Sequence, residues 1–186
     1  MICLAGNLPA LKVGRQKVVG YHTDWIDQSL ARAADAGGRK DCPFLKDISN
    51  GVVHYLQNQS SLKLLPIEAL YERIRRMLLK LGFPEIAHHL SPLAPPVTVS
   101  LVGPAIEAGP GAKEVFFKIL REEIQLLQQS GAESVRFRDF ERSLLLLAQP
   151  DLSTTDLLRH EIKAFLNGRH PRVSFPGRHL HLTLEP

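Results

Sequence analysis

Histidines and clustered basic residues are the side chains here whose types and spacing could do chemistry. His179 and His181 stand two apart in an alternating run, residues 179–184, so a strand would turn both imidazoles to one face. With a third histidine such as His170, that face could ligate zinc. No flanking cysteine or carboxylate pattern completes a metal set, and a solvated polar face is the favoured reading. His88 and His89 are adjacent, cannot share one site on a helix, and read as a helix end at the surface. Arg73, Arg75, Arg76 and Lys80 could meet phosphate, but pairing with Glu68 and Glu72 at helical spacing gives a solvated, partly neutralised face. A denser set, Arg159, Lys163, Arg169, Arg172 and Arg178, has few acids beside it. It lacks the interleaved aromatics that stack bases. The net charge of +4 with histidine neutral is also modest for a nucleic-acid binder, so nucleic acid is not an expected partner.

Catalysis leaves little trace. Serine, histidine and aspartate occur in no nucleophile-elbow setting, and Asp139, Glu141 and Glu161 are better explained as caps and surface residues. The stretch 103–111, G-P-A-I-E-A-G-P-G, lies between a strand pattern and a helix pattern, where α/β proteins bind anions. It has neither G-x-G-x-x-G nor Gly-Lys-Ser/Thr. Its prolines remove backbone donors, and Glu107 would repel phosphate. A structural crossover loop is expected there, and the chain reads as non-enzymatic.

The elements that must position these residues fall into two halves. At 186 residues, 44% hydrophobic and 23% charged, the chain can bury its own core without staples, as two small domains or one large one. Leu11 and Val13 begin a short strand, which Val18, Val19 and Tyr21 either continue or pair back on as a hairpin pivoting on residues 14–16. Thr23 is the expected cap of a first helix that Gly37 and Gly38 end. Asp41 and Pro43 are expected to start a second helix, with Leu45, Ile48, Val52, Tyr55 and Leu56 at helical spacing. Pro66 opens a third, striped by Ile67, Leu70, Tyr71, Ile74, Met77, Leu78 and Leu81, and Gly82 closes it. Pro84 opens a short fourth. The prolines of residues 91–96 mark a semi-rigid spacer. This divides the chain into 1–91, a linker 92–96 and a small α/β domain at 97–186.

In the second half, residues 97–102 alternate as a strand. Residues 113–129 form a helix with Val115, Phe116, Ile119, Leu120, Ile124 and Leu127 inward. A strand at 135–137, a helix at 140–147, a helix capped by Ser153 with Asp156, and a strand at 179–184 complete a β-α-β-α-α-β order. The overall expectation is a mixed α+β fold, mostly helical in its first half.

Two cysteines, Cys3 and Cys42, are too few for a disulfide framework and suit a reducing, cytoplasmic setting. No apolar run approaches the roughly 20 residues of a membrane span. The first residues make a poor signal peptide, so no membrane partner is expected.

Within residues 11–90 the order of elements resembles the ATP-cone, the nucleotide-sensing module of ribonucleotide reductases and of their bacterial repressor. The resemblance rests on Val18, the aromatic Tyr21, three helical patterns, and the close L-Y-E-R-I-R-R-M-L-L-K-L-G-F-P-E-I-A at residues 70–87. It covers under half of the chain. The family's Lys-Arg-Asp-Gly turn falls on Val13, Gly14, Arg15 and Gln16, and its early helical lysine falls on Trp25. What the resemblance implies is a regulatory protein binding ATP or dATP with Mg²⁺. The phosphates would be held by Lys12, Arg15 and Lys17 beside Tyr21, with Arg73 and Arg76 on the helix pair. The alternative expectation is a ligand-free interaction module, meeting a protein partner or a second copy through the apolar faces of the helices at 43–57 and 66–81. A third is an anion or nucleic-acid binder using the C-terminal basic set.

Overall fold

The computed structural model describes residues 8–58, 64–148, 152–167 and 180–185. The fold is mixed α+β, in two compact units. The first comprises Met1–Pro95 with Ser130–Ala132, the second Pro96–Gln129 with Glu133–Pro186.

The first unit opens on a hairpin, β1 (Leu11–Val13) and β2 (Gln16–Val18). Period-2 alternation explains its faces: Leu11 and Val13 are buried, and Lys12 between them is exposed. Gly14 takes φ +56° at the first loop position, a conformation that two-residue hairpin loops demand and glycine adopts at no steric cost. The register sets Leu11 opposite Val18 and Lys12 opposite Lys17.

Helix α1 (Asp24–Ala36) follows, but the expected Thr23 side-chain cap is not made. Thr23 stands at the cap position with ψ near zero (φ −99°, ψ 2°), outside the extended region from which a cap hydroxyl reaches back to the helix N–H groups. Helix α2 (Leu45–Asn58) begins at Leu45 rather than at Pro43. The preceding residues are spent on a turn in which Leu45 N–H donates to Cys42 O at 3.4 Å. Strand β3 (Leu65–Pro66) then lies parallel to β1, giving a sheet of order β2-β1-β3.

Pro66 caps α3 (Ile67–Lys80), which buries Ile67, Leu70, Tyr71, Ile74 and Leu78 of the expected stripe, while Met77 is half-buried and Leu81, past the helix end, is exposed. Gly82 at φ +83° lets Phe83 N–H return to Leu78 O at 2.9 Å, the left-handed stop that the sequence predicts. Helix α4 (Pro84–His89) is closed by a guanidinium: Arg75 donates to Ala87 O at 3.3 Å and to Leu90 O at 3.0 Å. The stretch after α4 is packed as well as proline-rich. Leu93 and Ala94 are buried, Tyr71 donates its hydroxyl to Leu93 O at 2.9 Å, and Ala94 N–H donates to Gly131 O at 2.9 Å.

The second unit is built on three parallel strands, β4 (Val97–Ser100), β5 (Ser134–Arg138) and β6 (His181–Leu184), in that spatial order. Among the described residues, two helices lie in each crossover. Residues 103–111 are therefore not a plain loop: α5 (Val102–Ala108) occupies most of them. Pro104 is tolerated because it falls in the first turn, where its missing N–H has no helical partner to lose. Gly109 at φ +84° stops the helix. Among the described residues the order is thus β-α-α-β-α-α-β, one helix more than the sequence pattern implies.

Helix α6 (Lys113–Gln129) buries a rotated stripe. Val115 is 47% exposed and Phe117 only 7%. The larger ring takes the interior, with centroids 5.5 Å from Phe116 and 5.1 Å from Phe165, because a phenyl removes more apolar surface from water than an isopropyl. Helix α7 (Phe140–Leu147) is followed by α8 (Leu152–Leu166). Ser153, expected as the cap of this helix, lies within it, one residue after its first. Leu158, Ile162 and Phe165 are buried.

Candidate functional site

The outward face of the hairpin gathers the cations. Strand alternation puts Lys12 and Lys17 on the exposed side, and the register sets them directly opposite each other. Arg15 projects from the two-residue turn between their strands and is exposed. None of the three has an ion-pair partner among the described residues. Like charges directly opposed across two strands are destabilising, so this face costs stability unless an anion neutralises it. The turn beneath is held: Gly14 N–H donates to Ser130 Oγ at 3.1 Å, and Ser130 donates to Glu68 Oε1 at 2.7 Å. Glu68 therefore serves this anchor rather than the arginines of its own helix.

The other candidates have different surroundings. Tyr21 is buried, donating its hydroxyl to Pro9 O at 2.8 Å, and burial pushes its ionisation well above the ordinary tyrosine range. Its ring meets Trp25 edge-on at 6.3 Å, and Trp25 in turn lies 6.2 Å from Tyr71. Trp25 is 5% exposed, so the position that carries a phosphate-facing lysine in the ATP-cone pattern is here part of the core. Its Nε1 has no hydrogen-bond partner among the described residues.

On α3, Arg73 lies over the Tyr55 ring, 5.4 Å from its centroid, and donates to the Tyr55 hydroxyl. Arg76 donates to Glu72 at 2.9 Å and Arg75 to the same carboxylate at 3.0 Å. Those contacts, Arg76 first, hold the Glu72 carboxyl below its usual range. The hairpin brings Lys12, Arg15 and Lys17 together; Arg73 and Arg76 are each engaged on their own helix or its neighbour.

His181 is exposed at the start of β6, and His179 lies outside the described residues. Among the described residues no group of three metal-ligating side chains forms, and no helix is long and apolar enough to cross a membrane. Of the C-terminal basic set, Arg159 forms a two-point pair with Glu141. Lys163 sits over Phe140, 5.7 Å from the ring centroid; Arg169, Arg172 and Arg178 lie outside the described residues.

The sequence reading passed over one pairing in the second unit. Ser100 donates to Asp139 Oδ2 at 2.6 Å, joining the ends of β4 and β5, and Asp139 adopts φ +62°, rare for a residue with a side chain. Ser100 Oγ also accepts from Val102 N–H at 3.3 Å. The hydroxyl both donates and accepts at the turn into α5, a structural use.

One carboxylate clamps α1 to α2. The Ser49 hydroxyl, and then Lys46 with Nζ 3.0 Å from Oδ2, hold the Asp27 carboxyl below the ordinary aspartate range. A depressed carboxyl contributes stability above its unfolded value, roughly 3.9, which is lost as pH falls through the folded value. Stability is therefore expected to be level between pH 5 and 7 on this account and to fall below about pH 4. Asp27→Asn should flatten that acid limb in denaturant titrations, and an unchanged limb would show the clamp to be inert.

No family model matches the chain, nor does any curated protein or solved structure.

Proposed function

We propose that the first unit is a regulatory, nucleotide-sensing module that takes ATP or dATP, with Mg²⁺, on the exposed face of the β1–β2 hairpin, in a non-enzymatic cytoplasmic protein. The observation that carries this reading is the opposed pair Lys12 and Lys17 with Arg15 in the turn, three cations without an ion-pair partner among the described residues. A triphosphate supplies several negative oxygens in a small volume, and converging cations recognise it by charge-assisted hydrogen bonds. The order hairpin, α1, α2, α3 and α4 is the one that the ATP-cone resemblance implies, and the choice of adenine rests on that resemblance. Arg73 and Arg76 are already engaged, so the phosphate site narrows to the hairpin. Bound nucleotide would act by population shift, favouring one arrangement or association state over another.

A thermal-shift comparison of ATP, dATP and ADP, each with and without Mg²⁺, tests this. A ligand of the folded state adds about 2.7 kcal/mol of stability at a hundred times its dissociation constant. The triphosphates are expected to raise the melting temperature more than ADP does. No shift at millimolar nucleotide would remove the sensor reading and leave the ligand-free interaction module.

A further inference from the structure

A groove of about 450 Å³ opens on the first unit, and no hairpin residue lines it. Phe44 and Ile48 form its wall on the α2 side; Met77, Leu81 and Phe83 form the other. Phe44 and Leu81 remain 55% and 54% exposed, and the rings of Phe44 and Phe83, both in the lining, stand 6.3 Å apart. The volume falls within the range of small-ligand sites.

Two further features point to an occupant. Gly51 lines the groove in the interior of α2, and a Cβ built there would meet nothing within 4 Å. Neither packing nor a left-handed backbone calls for glycine, which weakens a helix interior by about 1 kcal/mol relative to alanine. Its effect is to leave the groove open for close approach at that point of α2. Asp47 is the one charged residue of the lining and has no ion-pair partner among the described residues.

We propose that this groove binds a compact apolar ligand carrying a single cationic group, an aromatic or aliphatic amine, with its ammonium at Asp47 and its apolar body between Phe44, Ile48, Met77 and Phe83. An apolar wall strips water from the ligand body, and a lone carboxylate selects a cation over an anion. The site is independent of the nucleotide reading.

The test uses the full chain with 2-phenylethylamine and phenylacetate as probes, followed by backbone amide chemical shifts. The amine is expected to give saturable shifts at Asp47, Gly51 and Phe83 at millimolar concentration, and phenylacetate none. Asp47→Asn should weaken the amine two- to fivefold, the scale of an exposed ion pair, and Gly51→Leu should abolish its binding. Gly51→Ala, which improves helix propensity, guards against a folding artefact. Equal binding of both probes, unaltered binding in Gly51→Leu, or no saturable shift would each overturn the proposal. So would shifts that track protein concentration and vanish in Gly51→Leu, because the groove would then serve a second copy of the chain.

Discussion

Gly131→Ala is expected to destabilise the first unit by about 3 kcal/mol or more, among the large effects that point to steric conflict in a fixed backbone. An added Cβ would lie 2.3 Å from Pro92 O and 2.5 Å from Pro92 C. Neither atom can swing aside as a side chain does, and the segment is tied in place by the Ala94 N–H bond to Gly131 O. The residue also sits at φ +85°, where a side chain costs about 1–2 kcal/mol by itself. Gly82→Ala separates the two contributions: φ is +83° there, and nothing lies within 4 Å of the added atom. Trp25 is the only tryptophan of the chain and is buried in the first unit, so its fluorescence in a urea titration reports on that unit. Gly131→Ala should unfold at clearly lower urea than Gly82→Ala. Equal midpoints would mean that the 130–132 loop is not held against Pro92.

Lys17→Glu is expected to move stability and binding in opposite directions. The substitution replaces an opposed like-charge pair by an ion pair with Lys12, worth about 0.2–1 kcal/mol in favour of the fold. The same change puts a carboxylate where a phosphate would sit. Each charge-assisted bond lost costs about 1.5–3 kcal/mol, so one reversal should take nucleotide affinity down by at least about tenfold. Alanine at Lys12, Arg15 and Lys17 together should take it below detection while leaving the buried face of the hairpin, Leu11, Val13 and Val18, untouched. A melting temperature that falls in Lys17→Glu would show that the two lysines do not face each other in solution as the register sets them.

How far the sequence foretold this depends on the range of the signal. The apolar alternation of the hairpin strands was legible because it acts within a few residues, though it left open whether the second stretch continues the first or turns back, and α3 was legible because its stripe repeats over several turns. Helix α5 was hidden by Gly103 and Pro104, residues that argue for a loop unless proline falls in a first turn. The rotation of α6 was hidden because Val115 and Phe117 are both apolar, and only the rings of Phe116 and Phe165 decide which goes inside. The packing of Leu93 and Ala94 gave no periodic sign among prolines. The anchor of the hairpin turn had none at all: Gly14 meets Ser130 across 116 residues of chain, a contact that no local pattern encodes. The cations of the hairpin were visible as types. That Lys12 stands opposite Lys17 without an ion-pair partner among the described residues needed the register and the contacts.

The most direct measurement is calorimetric titration of ATP with Mg²⁺ into the intact protein and into the Lys12, Arg15 and Lys17 triple-alanine variant. Saturable one-site binding to the native chain and none to the variant is the predicted result. Equal binding by both would contradict the hairpin assignment, and no binding by the native chain would contradict the sensor itself.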